Sequence, residues 1–335
     1  MSREGGGYQA EAGGTGLAIP VKGGEEGGRR EKNSTAPRVL IFADQADWHI
    51  RELSEAFAAA GAEVATVSMR RCGLSVTEEG ARFLLPQPAS RLPDLVFVKT
   101  ISAGSFEEVT LRLGILHGLA AAGSVVVNSA PAIERCVDKS QTSLRLALAG
   151  LPTPPAWTVQ SPEAAAAIIT AEGAQGHELV LKPLFGAQGR GLLRLRNPEL
   201  LPPSDAVAGI YYLQRFIAPA ESTFRDCRVL VSNGRAVAAM LREHENWITN
   251  VHQGARCVAI SPEEEVAQLS VAAATAVGAF HAGVDLIRGA DGLWQVLEVN
   301  SMPAWRGLQS VTPFRIATCL AADALASVSR IPVDG

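Results

Sequence analysis

One stretch near the C-terminal end, residues 283–300, limits the folds that this chain can adopt. It reads GVDLIRGADGLWQVLEVN, two apolar runs on either side of the dipeptide Asp291-Gly292. This dipeptide favours tight hairpins, so the sequence predicts two antiparallel strands joined by a two-residue turn at Asp291-Gly292. In that register Asp285 lies directly opposite Glu298.

The predicted hairpin concentrates oxygen-bearing side chains on one face. Side chains alternate along a strand, so every second residue of the second strand shares that face, and Asp285 joins it from the first strand. The members from the second strand are Trp294, Val296, Glu298 and Asn300. Facing carboxylates destabilise a strand pair, so a compensating cation is expected. Asp285, Glu298 and Asn300 are therefore candidate ligands of Mg²⁺ or Mn²⁺, which prefer oxygen donors. The alternative is an exposed face with ordinary acidic residues.

The composition excludes several classes of protein. With 335 residues, 47% of them hydrophobic, the chain can bury a large core and form roughly two or three domains. A net charge of −4 and a pI of 5.9 give no general attraction to nucleic acid or to a membrane surface, so neither is an expected partner. No apolar run approaches the roughly 20 residues of a membrane helix. The scattered cysteines, without a C-x-x-C pair, indicate reduced thiols in a cytoplasmic protein rather than a disulfide framework or a zinc site.

The N-terminal part of the chain contains two different regions. Residues 1–36 are rich in glycine and mixed charges, which predicts a disordered extension. Over residues 37–129, apolar runs alternate with helical periodicity, which predicts a parallel sheet with covering helices, Rossmann-like in architecture. No G-x-G-x-x-G follows the first run, so dinucleotide binding is not indicated. Crevices at the carboxyl ends of such strands bind ligands, which makes Asp44, Lys99 and Ser102 to Ser105 candidate substrate contacts.

A glycine-rich loop joins two predicted strands in the middle of the chain. The first strand ends in Lys182, and the loop contains Gly186, Gly189 and Gly191. It is not a P-loop, which requires G-x-x-x-x-G-K running into a helix. Its glycines nevertheless allow backbone N–H groups to point at an anion, and Lys182 adds a positive charge beside them. The alternative is a flexible hairpin loop, which a lysine on a buried strand disfavours because an unpaired buried ammonium is costly.

A further predicted hairpin turns at Asn233-Gly234. Asp226 precedes it, and its strands contain Arg228 and Arg242. Arginines beside a metal site are suited to bind a polyphosphate, because they form bidentate hydrogen bonds and keep their charge. The alternative is that each is a solvated surface residue.

Several short motifs follow one another in a fixed order. They are residues 127–133 (VNSAPAI), Asp138-Lys139, residues 150–154 (GLPTP), Lys182 with the glycine loop, Asp226-x-Arg228, and Asp285 with Glu298-x-Asn300. Over residues 38–328 this series resembles the ATP-grasp superfamily and, more narrowly, its RimK-like α-L-glutamate ligases. The stretches 103–117 and 247–255 are similar to the ligases that add glutamate to tetrahydromethanopterin or to a related deazaflavin coenzyme.

The resemblance implies an α/β fold of the α+β ATP-grasp type. A Rossmann-like pre-ATP-grasp domain would occupy residues 37–129, and two ATP-grasp lobes with antiparallel sheets would follow. The lobe with the glycine-rich phosphate loop would span residues 130–212, and the lobe with the metal-binding hairpin would span residues 213–335.

The resemblance also implies roles for individual residues. The ATP contacts would be Lys139, Lys182, Gly186, Gln188, Gly189, Gly191, Gln214, Arg215, Phe216, Ile217 and Asp226, with Asp226 near the ribose. Arg228, Arg242 and Asn250 would contact the γ-phosphate and the acyl group. Asp285, Glu298 and Asn300 would hold two Mg²⁺ or Mn²⁺ ions. Family members usually have Glu where Arg215 stands, so main-chain recognition of adenine is expected rather than a side-chain contact.

The activity implied is that of an ATP- and Mg²⁺-dependent carboxylate–amine ligase. A carboxylate of a small-molecule acceptor attacks the γ-phosphorus, and the amine of L-glutamate displaces phosphate from the acylphosphate. The expected acceptor is a one-carbon carrier cofactor of the tetrahydromethanopterin or methanofuran type, or its precursor. The alternatives are a protein or peptide C-terminal glutamate ligase and a non-catalytic ATP-binding regulatory module. A homo-oligomer is compatible with the resemblance.

The sequence leaves the acceptor site open. Basic residues in predicted loops, namely Arg225, His244, Arg256 and Arg306, either form a pocket for an acidic substrate or are solvated. Trp247, in a predicted polar loop over residues 243–257, and Trp305 either stack on an aromatic ring such as a pterin or exclude water from the site. No Ser-His-Asp series is found, and His252 is the one histidine worth testing.

Overall fold

The N-terminal part of the protein contains a four-stranded parallel sheet and a small antiparallel sheet. The structure is a computed structural model that describes residues 17–21, 36–86, 91–186, 189–219 and 223–329. The first elements are β1 (Leu17–Val21), β2 (Arg38–Phe42), α1 (Trp48–Ala59), β3 (Glu63–Val67), β4 (Gly73–Thr77), β5 (Gly80–Leu85), β6 (Leu95–Val98), α2 (Phe106–Ala121) and β7 (Val125–Val127). The parallel sheet has the order β3-β2-β6-β7, and the antiparallel sheet has the order β1-β5-β4. The predicted parallel pairing of the β2, β3, β6 and β7 strands is confirmed.

Helix starts in this region follow from capping chemistry. The carboxylate of Asp47 accepts a hydrogen bond from Ile50 N–H (3.0 Å) and starts α1. Ser105 and Glu108 form a capping box at the start of α2. Each cap satisfies backbone donors that the first helical turn leaves without a partner.

The small antiparallel sheet corrects part of the predicted disordered extension. Residues 17–21 form β1, which pairs with β5. Adding a strand to an existing edge uses main-chain hydrogen bonds, so it needs no periodic side-chain pattern that the sequence would reveal. Residues 1–16 and 22–35 of the predicted extension lie outside the described residues.

The middle of the chain forms a separate antiparallel sheet. Its elements are α3 (Ala130–Val137), α4 (Lys139–Leu148), β8 (Ala156–Val159), α5 (Pro162–Ala174), β9 (Leu179–Lys182), β10 (Leu193–Leu195) and β11 (Tyr211–Arg215). The sheet order is β10-β9-β11-β8. We call residues 156–215 the glycine-loop lobe. Strand β11 pairs with β8 and β9 of this lobe, so the predicted boundary after residue 212 would divide a strand.

The last part of the chain forms a five-stranded antiparallel sheet. Its elements are β12 (Phe224–Ser232), β13 (Arg235–His244), β14 (Arg256–Ile260), α6 (Glu264–Val277), β15 (His281–Arg288), β16 (Trp294–Asn300), α7 (Arg306–Gln309) and α8 (Ile316–Val328). The sheet order is β14-β13-β12-β15-β16. The predicted turn at Asn233-Gly234 is confirmed, and both residues have positive φ (48° and 72°).

Two hydrophobic cores flank the five-stranded sheet. On one face α6 covers Val284, Leu286 and Val296. On the other face a second core joins Leu230 of this sheet with Phe97 of the parallel sheet and with α8. The parallel sheet and the five-stranded sheet are therefore packed together, whereas the described core of the glycine-loop lobe is built from its own residues. None of the helices described here has the length and apolar character needed to span a bilayer.

Candidate active site

The β15–β16 hairpin confirms that Asp285 faces Glu298, but the predicted turn is wrong. Residues 289–292 form the turn, in which Gly292 N–H donates to Gly289 O (2.9 Å). Next to this turn Leu286 pairs with Val296, and a bulge at Leu297 restores the pairing of Asp285 with Glu298. The bulge reverses side-chain alternation. The predicted common face is therefore also wrong, because Val296 packs in the core beneath α6 and Trp294 packs against that core.

A pocket between the glycine-loop lobe and the five-stranded sheet gathers most of the predicted site residues. Those that line it are Lys139, Lys182, Gly186, Gly189, Gln214, Arg215, Phe216, Ile217, Asp226, Arg242, Asn250, Asp285 and Glu298. Arg228, Gly191 and Asn300 are not part of its described lining. Gln188 lies outside the described residues.

The pocket has an apolar end that sequence reasoning missed. Val180, Leu192, Ile287 and Leu297 line it from the two facing sheets. Strand alternation could have found two of them, because Val180 lies two residues before Lys182 and Ile287 two residues after Asp285. The bulge at Leu297 has no comparable sequence signal. The ring of Trp247 also lines the pocket and makes an edge contact with Phe216, with 6.1 Å between ring centroids.

The end of β11 leaves one main-chain donor without a partner. Arg215 N–H donates to Pro155 O and Phe216 N–H donates to Glu178 O, both at 2.8 Å. Within the described residues Ile217 N–H has no acceptor. The guanidinium of Arg215 pairs with Glu172 of α5 (2.8 Å), so this side chain is engaged inside its own lobe.

Two lysines stand at the polar end of the pocket. Lys182 Nζ donates to Gln214 Oε1 (2.5 Å), and burial lowers the pKa of Lys182 to about 8. Lys139 Nζ donates to Gly186 O (2.9 Å), which ties α4 to the glycine loop. Gln214 Nε2 is buried and has no hydrogen-bond partner in the described structure. The pocket therefore contains two ammonium groups and an unused amide donor beside the carboxylates of the hairpin.

A buried ionic network occupies the floor of the pocket. Arg242 Nε donates to Asp226 Oδ1 (2.6 Å), and Arg242 Nη2 lies 3.0 Å from Asp285 Oδ2. Arg228 forms a bidentate pair with Asp285, with both bonds at 2.6 Å. The cation expected between the facing carboxylates is therefore supplied in part by arginines. Burial raises the pKa of Asp226, and the charge of Arg242 only partly opposes this shift. Burial also acts to raise the pKa of Asp285, but Arg228 and Arg242 outweigh it, so the pKa of Asp285 is lowered.

The carboxylate of Glu298 takes no part in this ionic network. Among the described residues it has no hydrogen-bond or ion-pair partner, and it lines the pocket beside Asp285. No group of three or more His, Cys, Asp or Glu side chains suited to a metal ion occurs in the described part of the chain. The side chains available for a cation are thus two carboxylates, with the amide of Asn300 two residues beyond Glu298.

Contacts between loops close one side of the pocket. Gln253 Nε2 donates to Gly189 O (3.2 Å), and Arg190 Nη2 lies 3.3 Å from His252 Nε2. Asn250 packs so closely that a Cβ added at Gly189 would lie 2.6 Å from Asn250 Oδ1. His252 therefore contacts the glycine loop, and residues 251–253 form a short 3-10 turn within the segment predicted to be a loop.

The predicted acidic-substrate pocket is divided in the structure. Arg225 and Arg256 both pair with Glu243, and they line a surface groove with His244. Arg306 lies elsewhere, over the ring of Trp48. Trp305 is 1% exposed and packs in the core, so neither stacking on an acceptor nor closing the pocket fits its position.

The candidate contacts at the edge of the parallel sheet are mostly engaged with one another. The carboxylate of Asp44 accepts hydrogen bonds from Ser102 and from Ser68 (2.8 Å). Ser105 caps α2. Lys99 is buried and lies over the ring of Trp305, with Nζ 5.3 Å from the ring centroid.

Comparisons with known proteins agree with this geometry. A model of the RimK-like ATP-grasp domain matches residues 136–323. A tetrahydromethanopterin:α-L-glutamate ligase of Methanocaldococcus jannaschii is 36% identical over 232 residues, which cover 67% of this chain and 76% of that protein. The protein of the same name from Methanosarcina acetivorans is 30% identical over 309 residues, covering 80% and 92% respectively.

The fold is also similar to that of solved structures. The ATP-grasp ligase PsnB, complexed with a minimal precursor, Mg and ADP, superimposes with a TM-score of 0.66 at 24% identity, covering 88% of this chain and 98% of that chain. The likeness to PsnB concerns the fold alone. Together with the domain match and the methanogen relatives, it leads to one conclusion: this chain belongs to the RimK-like ATP-grasp family of ATP-dependent ligases.

Proposed function

We propose that this protein uses ATP and Mg²⁺ to join L-glutamate to a carboxylate of a one-carbon carrier cofactor of the tetrahydromethanopterin or methanofuran type, or of its precursor. The main support for the ATP-dependent part is a single pocket with an apolar slot at one end and lysines, arginines and carboxylates at the other. The names of the relatives from methanogens support glutamate and the pterin acceptor.

The apolar slot suits a purine ring. Val180 and Leu192 on one sheet and Ile287 and Leu297 on the other would cover its two faces. The N–H of Ile217, which has no acceptor among the described residues, would donate to a ring nitrogen, which agrees with main-chain recognition despite the unusual Arg215. Asp226, expected near the ribose, has its carboxylate bound by Arg242 and Thr249, so we assign it to positioning Arg242.

The polar end suits a triphosphate. Lys139 and Lys182 would neutralise phosphate oxygens, and Gly186 and Gly189 would cover them with backbone N–H groups. Asn250 contacts this loop and would approach the γ-phosphate. Each cation adds positive potential in a water-poor site, where electrostatic interactions are stronger than in bulk water.

The donor set fits Mg²⁺. That ion is usually held by one or two carboxylates together with substrate phosphates. The site provides three oxygen donors, namely Asp285, Asn300 and Glu298, and Glu298 has no hydrogen-bond or ion-pair partner among the described residues. We propose that these three residues hold two Mg²⁺ or Mn²⁺ ions when ATP is bound. The ions would neutralise charge on the phosphate oxygens.

The reaction then needs positioning more than a protein nucleophile. An acceptor carboxylate oxygen bonds to the γ-phosphorus while the bond to the ADP oxygen breaks, giving an acylphosphate. The amine of glutamate bonds to the acyl carbon, phosphate leaves, and the amine loses a proton. Arg228 and Arg242, fixed by Asp285 and Asp226, keep two permanent positive charges beside the transferring group.

Phosphate release tests the proposal directly. Purified protein is offered ATP, Mg²⁺ and L-glutamate with tetrahydromethanopterin, methanofuran or peptides ending in glutamate, and products are weighed by mass spectrometry. We expect phosphate release and addition of glutamate only with a cofactor acceptor, and release lowered about 100-fold or more in Glu298→Gln. Modification of the peptides instead would favour the protein-modifying alternative. Binding of ATP without turnover of any acceptor would favour a regulatory module.

A further inference from the structure

Lys99 is a buried lysine outside the nucleotide pocket, and no carboxylate of the described residues forms an ion pair with it. It follows β6 at the carboxyl edge of the parallel sheet and is 7% exposed. In the described part of the chain its ammonium makes no hydrogen bond or ion pair. It lies over the ring of Trp305, with Nζ 5.3 Å from the ring centroid. The stem is buried, whereas Nζ keeps access to solvent. Burial of a charge costs free energy unless a counter-charge is supplied.

The carboxylate of Asp47 attracts the Lys99 ammonium and partly opposes the effect of burial on its pKa, but the two form no ion pair or hydrogen bond in the described part of the chain. The carboxylate of Asp47 caps α1 and contacts His49 Nδ1 (3.3 Å), so it is fixed at the helix start. His49 Nε2 accepts the N–H of Trp305 (3.2 Å), and burial together with Lys99 lowers the pKa of His49. Arg306 adds a second positive charge on the neighbouring Trp48 ring. The local excess is positive and faces solvent.

Strand β15 connects this cluster to the catalytic pocket. One face of β15 presents Ile287 to the apolar slot and Asp285 to the polar end. Gly283 lies two residues before Asp285, and a Cβ added at Gly283 would lie 3.8 Å from Arg228 Nε. His281 lies two residues before Gly283 and stacks on Phe97, with ring centroids 4.8 Å apart. Lys99 lies two residues beyond Phe97, directly after the end of β6, and its ammonium lies over Trp305, which belongs to the same core as Phe97. At about 3.3 Å per residue, His281 is about 13 Å from Asp285.

We propose that Lys99, assisted by Arg306, binds a second anionic group of the acceptor, a carboxylate or a phosphate. This anion would lie on the order of 10–15 Å from the carboxylate that is ligated, judged from the strand spacing. The proposal rests on the proposed function and narrows its substrate class. The acceptor is an elongated molecule with at least two anionic groups, and a small monocarboxylic acid would be a poor substrate.

An anion titration tests the subsite without turnover. The nucleotide pocket is first filled with AMPPNP and Mg²⁺, and inorganic phosphate or glutarate is then added while tryptophan fluorescence is recorded, because Lys99 contacts Trp305. The variant is Lys99→Met, and the matched control is Arg71→Met, which removes an exposed positive charge on the same domain. We expect saturable binding in wild type and control, weakened at least about tenfold in Lys99→Met, the effect of losing a hydrogen bond to a charged group.

The two probes distinguish the source of the anion. A response to phosphate alone indicates a phosphorylated acceptor, and a response to glutarate alone indicates a polycarboxylate. A response to both supports the subsite without separating the two. No saturable response in wild type, or equal binding by wild type and Lys99→Met, overturns the subsite. The melting temperature of Lys99→Met should equal or exceed that of wild type, because the variant buries no charge.

Acceptor kinetics separate this proposal from the proposed function. With tetrahydromethanopterin, Lys99→Met should raise KM for the acceptor at least about tenfold, leave KM for ATP within about twofold, and be rescued by Lys99→Arg. Turnover with an unchanged acceptor KM would overturn the subsite and leave the ligase activity standing. If the wild type uses no cofactor acceptor but still binds anions in a Lys99-dependent way, the assignment of the acceptor is overturned and the subsite stands.

Discussion

Replacing Arg242 with methionine should destabilise the protein by about 3–5 kcal/mol, the usual cost of removing one partner from a buried ion pair. Arg242 is 2% exposed and pairs with Asp226 while also reaching Asp285. Methionine retains much of the stem but leaves both carboxylates without this cation. Asp285 keeps its bidentate bonds to Arg228, whereas Asp226 keeps only the hydroxyl of Thr249 at 2.7 Å.

The loss of stability should grow with pH. Burial already raises the pKa of Asp226 in the folded protein, and Arg242 is the main group that opposes this shift. Without Arg242 the folded state keeps a proton that the unfolded chain loses near pH 3.9. Because the folded state then binds more protons than the unfolded state, the unfolding free energy falls as pH rises, until the raised pKa of the folded carboxyl is passed. Loss of Arg242 raises the Asp226 pKa further than in the wild type, so the variant goes on losing stability with pH where the wild type no longer does, and the difference between them is larger at about pH 8 than at about pH 5.

Urea unfolding at both pH values, followed by tryptophan fluorescence, measures the effect. The control is Arg256→Met, whose side chain is 75% exposed and pairs with Glu243, and which should cost at most about 1 kcal/mol. The double variant Arg242→Met with Asp226→Asn should recover part of the loss, because no charge is then left unpaired at residue 226. The reasoning is refuted if Arg242→Met costs no more than Arg256→Met, or costs the same at both pH values.

Three further changes probe the pocket. Glu298→Gln should lower phosphate release about 100-fold or more while the unfolding free energy stays within about 0.5 kcal/mol, because the Glu298 carboxylate has no hydrogen-bond or ion-pair partner in the described protein. A large loss of stability accompanying the loss of phosphate release would contradict a role as metal ligand. Burial lowers the pKa of Lys182 to about 8, so KM for ATP should rise above about pH 8 as the ammonium loses its proton. In Lys182→Met the plot of KM for ATP against pH should not show this rise. Gly189→Ala places a Cβ 2.6 Å from Asn250 Oδ1 at a residue of positive φ (69°), so it should raise KM for ATP and also cost about 1 kcal/mol of stability. Its control, Gly234→Ala, also changes a glycine of positive φ, and should cost about 1 kcal/mol of stability without altering kinetics.

The sequence predicted the facing pair Asp285 and Glu298 for reasons that were only partly correct. The turn spans residues 289–292 instead of two residues, and the bulge at Leu297 compensates for the shifted register. A bulge depends on how the sheet packs and twists, so periodicity along one strand cannot reveal it. The same bulge explains why Val296 was assigned to the wrong face.

Long-range pairing set the other limit of prediction. The ion pair of Arg228 with Asp285 joins β12 to β15 across 57 positions of sequence. Alternation predicted that each residue lies on a strand, but the alignment of distant strands follows from the packing of the whole sheet. Trp305 likewise lies in a segment without periodicity, so its burial beside His49 had no local signal. Capping chemistry, by contrast, is local: the carboxylate of Asp138 accepts hydrogen bonds from Ser140 N–H (2.8 Å) and Gln141 N–H (3.1 Å) at the start of α4.

The independent core of the glycine-loop lobe has a consequence for turnover. Its described core residues come from the lobe itself, whereas the other half of the nucleotide pocket is anchored in the core that includes α8 and the parallel sheet. The lobe can therefore rotate as one rigid unit when ADP leaves, without any change in the packing of either core. Arg190 and His252 form a contact between the glycine loop and the facing loop. Substitutions at these two residues can then change the rate of ADP release without changing the free energy of unfolding.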